Sequence, residues 1–308
     1  MTSWQSAHGK IILIGEHAVV YGQPAIAGAF PDAIKAQVTP SAMGVSIDIP
    51  QWNYRACLPP EGETDTLGAM LRLVVDRLRL HGQRFALALD ARVKPGMGLG
   101  ASASVAVATI RALDYYYTLG LSLSEINALA FECEKLAHGR PSGIDNTMAC
   151  FGGLCRYRRV AGENVVNPLH TSEPLRLVVV MTPETGSTAS MVAKVAKAAQ
   201  AQAARYQALF EDIGQLSQHA EAAIQQADLA LLGQLMTRNH EVLVDLGVST
   251  PSLNNVVSQL CDAGALGAKL TGSGGGGAVI ALCDHNSHDL AETMARRGND
   301  VMEVQLGV

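Results

Sequence analysis

The chain has 308 residues, with 23 Lys and Arg against 28 Asp and Glu, for a formal net charge of −5. That balance argues against a nucleic-acid partner or a membrane-surface partner, both of which ask for a basic face. With 48% hydrophobic and 17% charged residues the composition is that of a globular chain, long enough for two domains.

In chain order, Gly9–Ile14 reads as a buried strand, Val19–Tyr21 as an apolar patch after a glycine, and Ala25–Phe30 as a second strand. Ala33–Thr39 and Gly44–Ile49 alternate apolar and polar residues, the pattern of antiparallel strands with one wet face. Thr64–Leu80 has helical spacing, and Phe85–Val93 alternates again before delivering the chain into a glycine-rich turn. Ser122 and Glu125 predict a capping box for a helix from Leu123 to His138, with Glu134 on its flank. His138–Thr147 is rich in turn residues, and Leu154–Tyr157 is a short strand. The polar stretch Val160–Pro174 is the expected boundary between an N-terminal domain, 1–170, and a C-terminal domain, 171–308. Beyond it come a strand (Leu175–Met181) and two long helical patterns (Ser187–Phe210 and Ile213–Gly247), whose alanine richness signals helix and no chemistry. A helix (Ser252–Ala263), a strand (Leu266–Leu270), a second glycine loop (Thr271–Gly277), a strand (Ala278–Cys283), a helix (His288–Arg297) and a strand (Val301–Leu306) close the chain. The order of elements predicts an α+β second domain.

The six cysteines lack CxxC spacing, which suggests reduced thiols in a cytoplasmic protein and no zinc cluster. His285 and His288 belong to a polar loop. No apolar run reaches the roughly 18 residues of a membrane span, and the N-terminus has no signal-peptide core.

The stretch Lys94–Ser104, KPGMGLGASAS, holds three glycines followed by small residues that open an apolar run. Glycines let backbone amides approach an anion, and a helix start behind them adds unpaired N–H groups, so the pair makes a phosphate cradle. It lacks the Gly-Lys-Ser/Thr of a Walker A loop and the spacing of a dinucleotide fingerprint. Lys10, Glu16, His17, Glu134 and Asp145 stand beside glycine turns. Taken singly, each has a plain structural reading: a solvated strand-start lysine, turn residues, an i,i+4 partner for His138, a helix-capping aspartate. Taken together they supply what phosphoryl transfer requires: carboxylates, a lysine and anion-cradling amides.

The segments GKIILIGEHAVVYGQPAIA, PGMGLGASAS and KLTGSGGGGA resemble, in order, the three motifs of the GHMP small-molecule kinases. The wording from Gly15 to Gly22, and that around Glu134 and His138–Asn146, is similar to the members that phosphorylate mevalonate. The resemblance implies an α+β fold of two domains, the first like the second domain of ribosomal protein S5 and the second ferredoxin-like, with the active site in the cleft between them. It implies ATP as co-substrate and Mg2+ as cofactor, mevalonate as phosphoryl acceptor, no nucleic acid and no membrane, and it is compatible with a homodimer. The ATP phosphates would be wrapped by Pro95, Gly96, Met97, Gly98, Leu99, Gly100, Ala101, Ser102, Ala103 and Ser104. Ser102 and Glu134 would hold Mg2+. Asp145 would accept the proton of the primary hydroxyl, with Lys10 beside it keeping it ionised. Glu16, His17, Ser142, Gly272 and Ser273 would line the substrate side. The family often has two serines after its GLG; here Ala101 precedes Ser102, which leaves Ser102 and Ser104 as rival metal-side hydroxyls. Another sugar or phosphomevalonate kinase of the same superfamily, or a nucleotide-binding relative without turnover, are the alternatives.

Overall fold

The computed structural model describes residues 3–58, 62, 64–139, 141–160 and 163–307. They form two compact units, each assembled from separate chain segments. One unit holds the residues up to Gly9 together with Pro31–Pro95 and Gly100–Gly152; the other holds Lys10–Phe30, Gly96–Leu99 and everything from Gly153 onward.

In the first unit, strand β1 (Gln5–Ile14) begins and strand β2 (Ala25–Pro40) ends. The two strands expected at Ala25–Phe30 and Ala33–Thr39 are one: the strand runs on through Asp32, at φ 56°. The far half of β2 runs antiparallel to β5 (Phe85–Ala91), from Ile34 opposite Ala91 to Pro40 opposite Phe85. Between them in sequence, β3 (Val45–Ile49) hairpins with β4 (Tyr54–Cys57). The alternation in β3 predicts an antiparallel partner, and β4 is one. Its other neighbour, β5, runs parallel, so β4 and β5 run in opposite directions and the connection through helix α1 (Thr66–Arg77) leaves and re-enters the sheet at the same end. Helix α2 (Ala101–Tyr117) is buried on most of its circumference, as its Ala/Val composition dictates. Helix α3 (Leu123–His138) starts at the capping box expected: the Ser122 hydroxyl accepts from the Glu125 amide, and the Glu125 carboxylate accepts from the Ser122 amide. A short helix α4 (Ile144–Phe151) occupies what reads in sequence as turns. Eight residues give too little period to recognise, and its N-cap is Gly143 in the left-handed region, so no side chain announces it.

In the second unit, the near half of β2 pairs with β6 (Leu154–Val160), which hairpins with β7 (Glu163–Leu169). The polar stretch Val160–Pro174 therefore carries a strand. Strand β8 (Leu175–Met181) leads to three helices, α5 (Thr188–Ala201), α6 (Ala203–Gln225) and α7 (Leu229–Asp245), where periodicity suggests two. Glu211 and Asp212 are the solvent face of a continuous helix, and the breaks fall at Gln202 and at Ala227, whose φ is 55°. After α8 (Pro251–Asp262) come β9 (Gly267–Thr271), β10 (Ala278–Cys283), α9 (Ser287–Arg296) and β11 (Asp300–Leu306). The sheet order is β11-β8-β10-β9, antiparallel throughout. With its helices this is the ferredoxin-like β-α-β-β-α-β succession, the first connection enlarged to four helices. Val178, Val180, Leu270, Val279 and Ala281 from the sheet pack with Phe210, Ile213, Leu243 and Leu253 from the helices. All six cysteines are free thiols.

Candidate active site

Each unit carries part of the expected constellation. In the second, Lys10 lies on β1 and is buried, which removes the solvated-lysine reading. Its amide donates to the Leu99 carbonyl at 2.9 Å and its ammonium to the Gly98 carbonyl at 3.4 Å, so the strand brings this cation to the glycine turn. That turn touches the other glycine loop. A Cβ on Gly98 would lie 2.9 Å from the Thr271 carbonyl oxygen, and one on Gly272 would lie 2.9 Å from the Gly98 Cα. Only glycine allows the approach, and both positions have φ above +70°. Met97 and Leu99 point into the core and anchor the turn, while Pro95 and Gly96 are exposed.

Glu16 and His17 follow β1. They do not cap the short 3-10 helix Ala18–Tyr21 through their side chains. Both are buried. The Glu16 carboxylate pairs with Lys269 of β9 and accepts from Asn239 Nδ2 of α7 at 3.2 Å. His17 Nε2 meets the Ser273 carbonyl at 2.9 Å, which ties it to the second glycine loop. Burial lowers the His17 pKa, against the opposing pull of that hydrogen bond and of Glu16, so the ring is neutral. Behind this group, His240 Nδ1 accepts from the Leu270 amide and its Nε2 faces Asn254 Oδ1 at 3.0 Å. Burial, reinforced by the Lys269 charge, lowers the His240 pKa to about 4. Asn239 and His240 lie in the Ala- and Leu-rich helical pattern that carries no chemistry in the sequence reading. α7 presents this polar pair inward, and its sequence signal is two polar residues falling on the apolar face of the helix.

In the first unit, α2 begins directly behind the glycine turn. Ser102 is exposed on it, and its hydroxyl donates to Glu134 Oε1 at 2.6 Å. Glu134, expected on the flank of α3, is buried, with His138 Nε2 3.7 Å from its other oxygen. The i,i+4 pairing and the Ser102 contact coexist. Ser104 is fully buried, and its hydroxyl faces the His8 and Gly100 carbonyls at 2.7 and 2.9 Å, with one proton to donate between them. Ala101 and Ala103 face the core. Asp145 sits half-buried in the first turn of α4. The cap there is Gly143, so Asp145 is not the capping residue. Ser142 supports the same turn, its hydroxyl accepting from the Ile144 amide at 3.4 Å. Asn146 is buried and donates to Asn127 Oδ1 at 2.7 Å, fixing α4 against α3.

Two family models match the chain, GHMP kinases N terminal domain over 66–153 and GHMP kinases C terminal over 220–303. The mevalonate kinase of Thermococcus gammatolerans is 32% identical over 98% of this chain and 95% of its own. That of Pyrococcus horikoshii is 34% identical over 95% and 92%. The crystal structure of the L. major mevalonate kinase in complex with R-mevalonate superposes with a TM-score of 0.87 at 33% identity, covering 99% of this chain and 96% of that one. The glycine loops, the buried lysine beside them and these full-length similarities lead to one conclusion: the chain belongs to the GHMP kinases and, within them, to the mevalonate kinases.

Proposed function

We propose that this chain transfers the γ-phosphoryl group of ATP to the 5-hydroxyl of (R)-mevalonate, giving 5-phosphomevalonate and ADP, in isoprenoid precursor synthesis by the mevalonate pathway. The observation that carries the reading is similarity over nearly the whole length to several curated mevalonate kinases at 32–34% identity.

Asp145 accepts the proton of the 5-hydroxyl as the new O–P bond forms and the bond to the β–γ bridging oxygen breaks, with ADP leaving. A primary alcohol is too weak an acid to ionise first, so proton transfer accompanies bond formation. Lys10 and the amides of the glycine turn stabilise the transferring phosphoryl group. Ser142, His17, Gly272 and Ser273 orient the acceptor, with Glu16 behind His17. Ser102 and Glu134 fit a hard divalent cation: one hydroxyl and one carboxylate converge within 2.6 Å, and Mg2+ takes few protein oxygens and completes its shell with water and phosphate. When bound, Mg2+ supplies charge neutralisation at the β- and γ-phosphates. Ser104, fully buried and turned toward two backbone carbonyls, is left out of this ligand set. No helix among the described residues is long and apolar enough to cross a membrane, and we place the enzyme in the cytoplasm.

Purified protein incubated with ATP and Mg2+ is expected to release ADP only when mevalonate is added, and not with galactose, homoserine or phosphomevalonate. Release independent of mevalonate, or preference for another acceptor, contradicts the reading.

A further inference from the structure

Lys269 is fully buried, and its ammonium is enclosed by the Glu16 carboxylate, the Leu270 carbonyl at 2.6 Å and the Ile12 carbonyl at 3.5 Å. Asn239, also fully buried, takes the second carboxylate oxygen. Both oxygens of Glu16 are thus bound from inside the protein. A buried ion pair of this kind is weak as a device for stability, because desolvating the two charges offsets much of their attraction. Its place in the chain suggests another purpose. Glu16 leads directly into His17, whose φ of 60° and ψ of −48° form the rare, strained hand of γ-turn, closed by the Ala18 amide on the Glu16 carbonyl at 2.7 Å. On the other side, a Cβ on Gly15 would fall 2.3 Å from the Ala25 Cβ, so the backbone is confined there too. The Ser273 carbonyl can only accept, so His17 Nε2 carries the proton and the neutral ring keeps its lone pair on Nδ1.

We propose that Lys269 and Asn239 are positioning residues for the phosphoryl acceptor: by gripping the Glu16 carboxylate they hold the strained His17 turn, which offers Nδ1 as hydrogen-bond acceptor to a substrate hydroxyl. The inference rests on the mevalonate reading and sharpens it, since Glu16 acts through the turn and His17 makes the contact.

The test is steady-state kinetics on Lys269→Met, Asn239→Leu, Glu16→Gln and the double variant Glu16→Gln/Lys269→Met. Loss of a charged hydrogen-bond partner raises the mevalonate KM of Lys269→Met about tenfold or more, with kcat and the ATP KM within about threefold of wild type. Because Lys269 acts through Glu16, adding Lys269→Met to Glu16→Gln changes KM by less than about twofold further. An unchanged mevalonate KM in folded Lys269→Met, an equal loss in every kinetic parameter, or full multiplication of the two single effects overturns the proposal. If Lys269→Met does not fold, Asn239→Leu decides: a mevalonate KM raised about threefold or more with the ATP KM unmoved supports it, and a wild-type mevalonate KM overturns it. Long-range 1H–15N spectra of the imidazoles give a readout that needs no turnover. His17 is expected as the Nε2–H tautomer in the wild type and as a mixture in Lys269→Met; an Nδ1–H wild type overturns the proposal. A wild type that shows the Nε2–H tautomer but no mevalonate-dependent ADP release contradicts the functional reading instead.

Discussion

Ser102 and Ser104 lie two positions apart after the same glycine turn, and the sequence offers no choice between them. At about 100° per residue they point to nearly opposite sides of α2. One hydroxyl meets Glu134; the other is sealed against β1. Ser102→Ala is therefore expected to raise the Mg2+ concentration for half-maximal rate about tenfold. Ser104→Ala is expected to leave it unchanged and to lower unfolding stability by about 1 kcal/mol, measured by urea titration. A metal requirement that moves with Ser104 instead would reverse the assignment. Asp145→Asn, which keeps the shape and removes the proton acceptor, is expected to lower kcat by about 10²-fold or more with ATP affinity retained; a kcat near wild type would exclude Asp145 as the base. The partners of Glu16 show where sequence reading stops. Lys269 is 253 positions away and Asn239 is 223 positions away, and no local pattern encodes a pair at that separation.

Among elements, those with strong local signals are legible. The capping box places the start of α3 at the expected residue, and the alternation of β5 delivers the chain to the glycine turn. Since α3 carries Glu134, its start bears on the site. Ser122→Ala is expected to lower stability by about 1 kcal/mol, with a matching fall in Tm; no change would mean that the box makes no net contribution. Elements whose ends depend on backbone conformation are not legible. The α5–α6 break at Gln202 has no proline or glycine to mark it, and α4 begins on a glycine that reads as a turn. β7 hides in a polar stretch because one strand, β6, is its only pairing partner among the described residues, and much of it faces solvent.

For the whole molecule, buried histidines make stability depend on pH. His240 has a folded pKa of about 4 against an ordinary 6.5, so between these values the unfolded chain binds a proton that the folded one refuses. The contribution of this residue is fully present above about pH 6.5 and is lost as pH drops toward 4, about 3 kcal/mol in all. His17, also lowered, adds in the same direction. Urea unfolding at pH 7 and at pH 5 is expected to show the lower midpoint at pH 5, with the difference reduced in His240→Gln; equal midpoints for the wild type would contradict the buried, neutral state. The ferredoxin-like sheet order and the three motifs in sequence make the family plain from end to end, and the chemistry follows from which oxygen receives the phosphoryl group. That is read directly by 31P NMR of the product formed from ATP and mevalonate. A phosphomonoester resonance split into a triplet by the two protons of the adjacent methylene is expected. An unsplit resonance, from phosphate on the tertiary hydroxyl or on the carboxylate, would contradict transfer to the 5-hydroxyl.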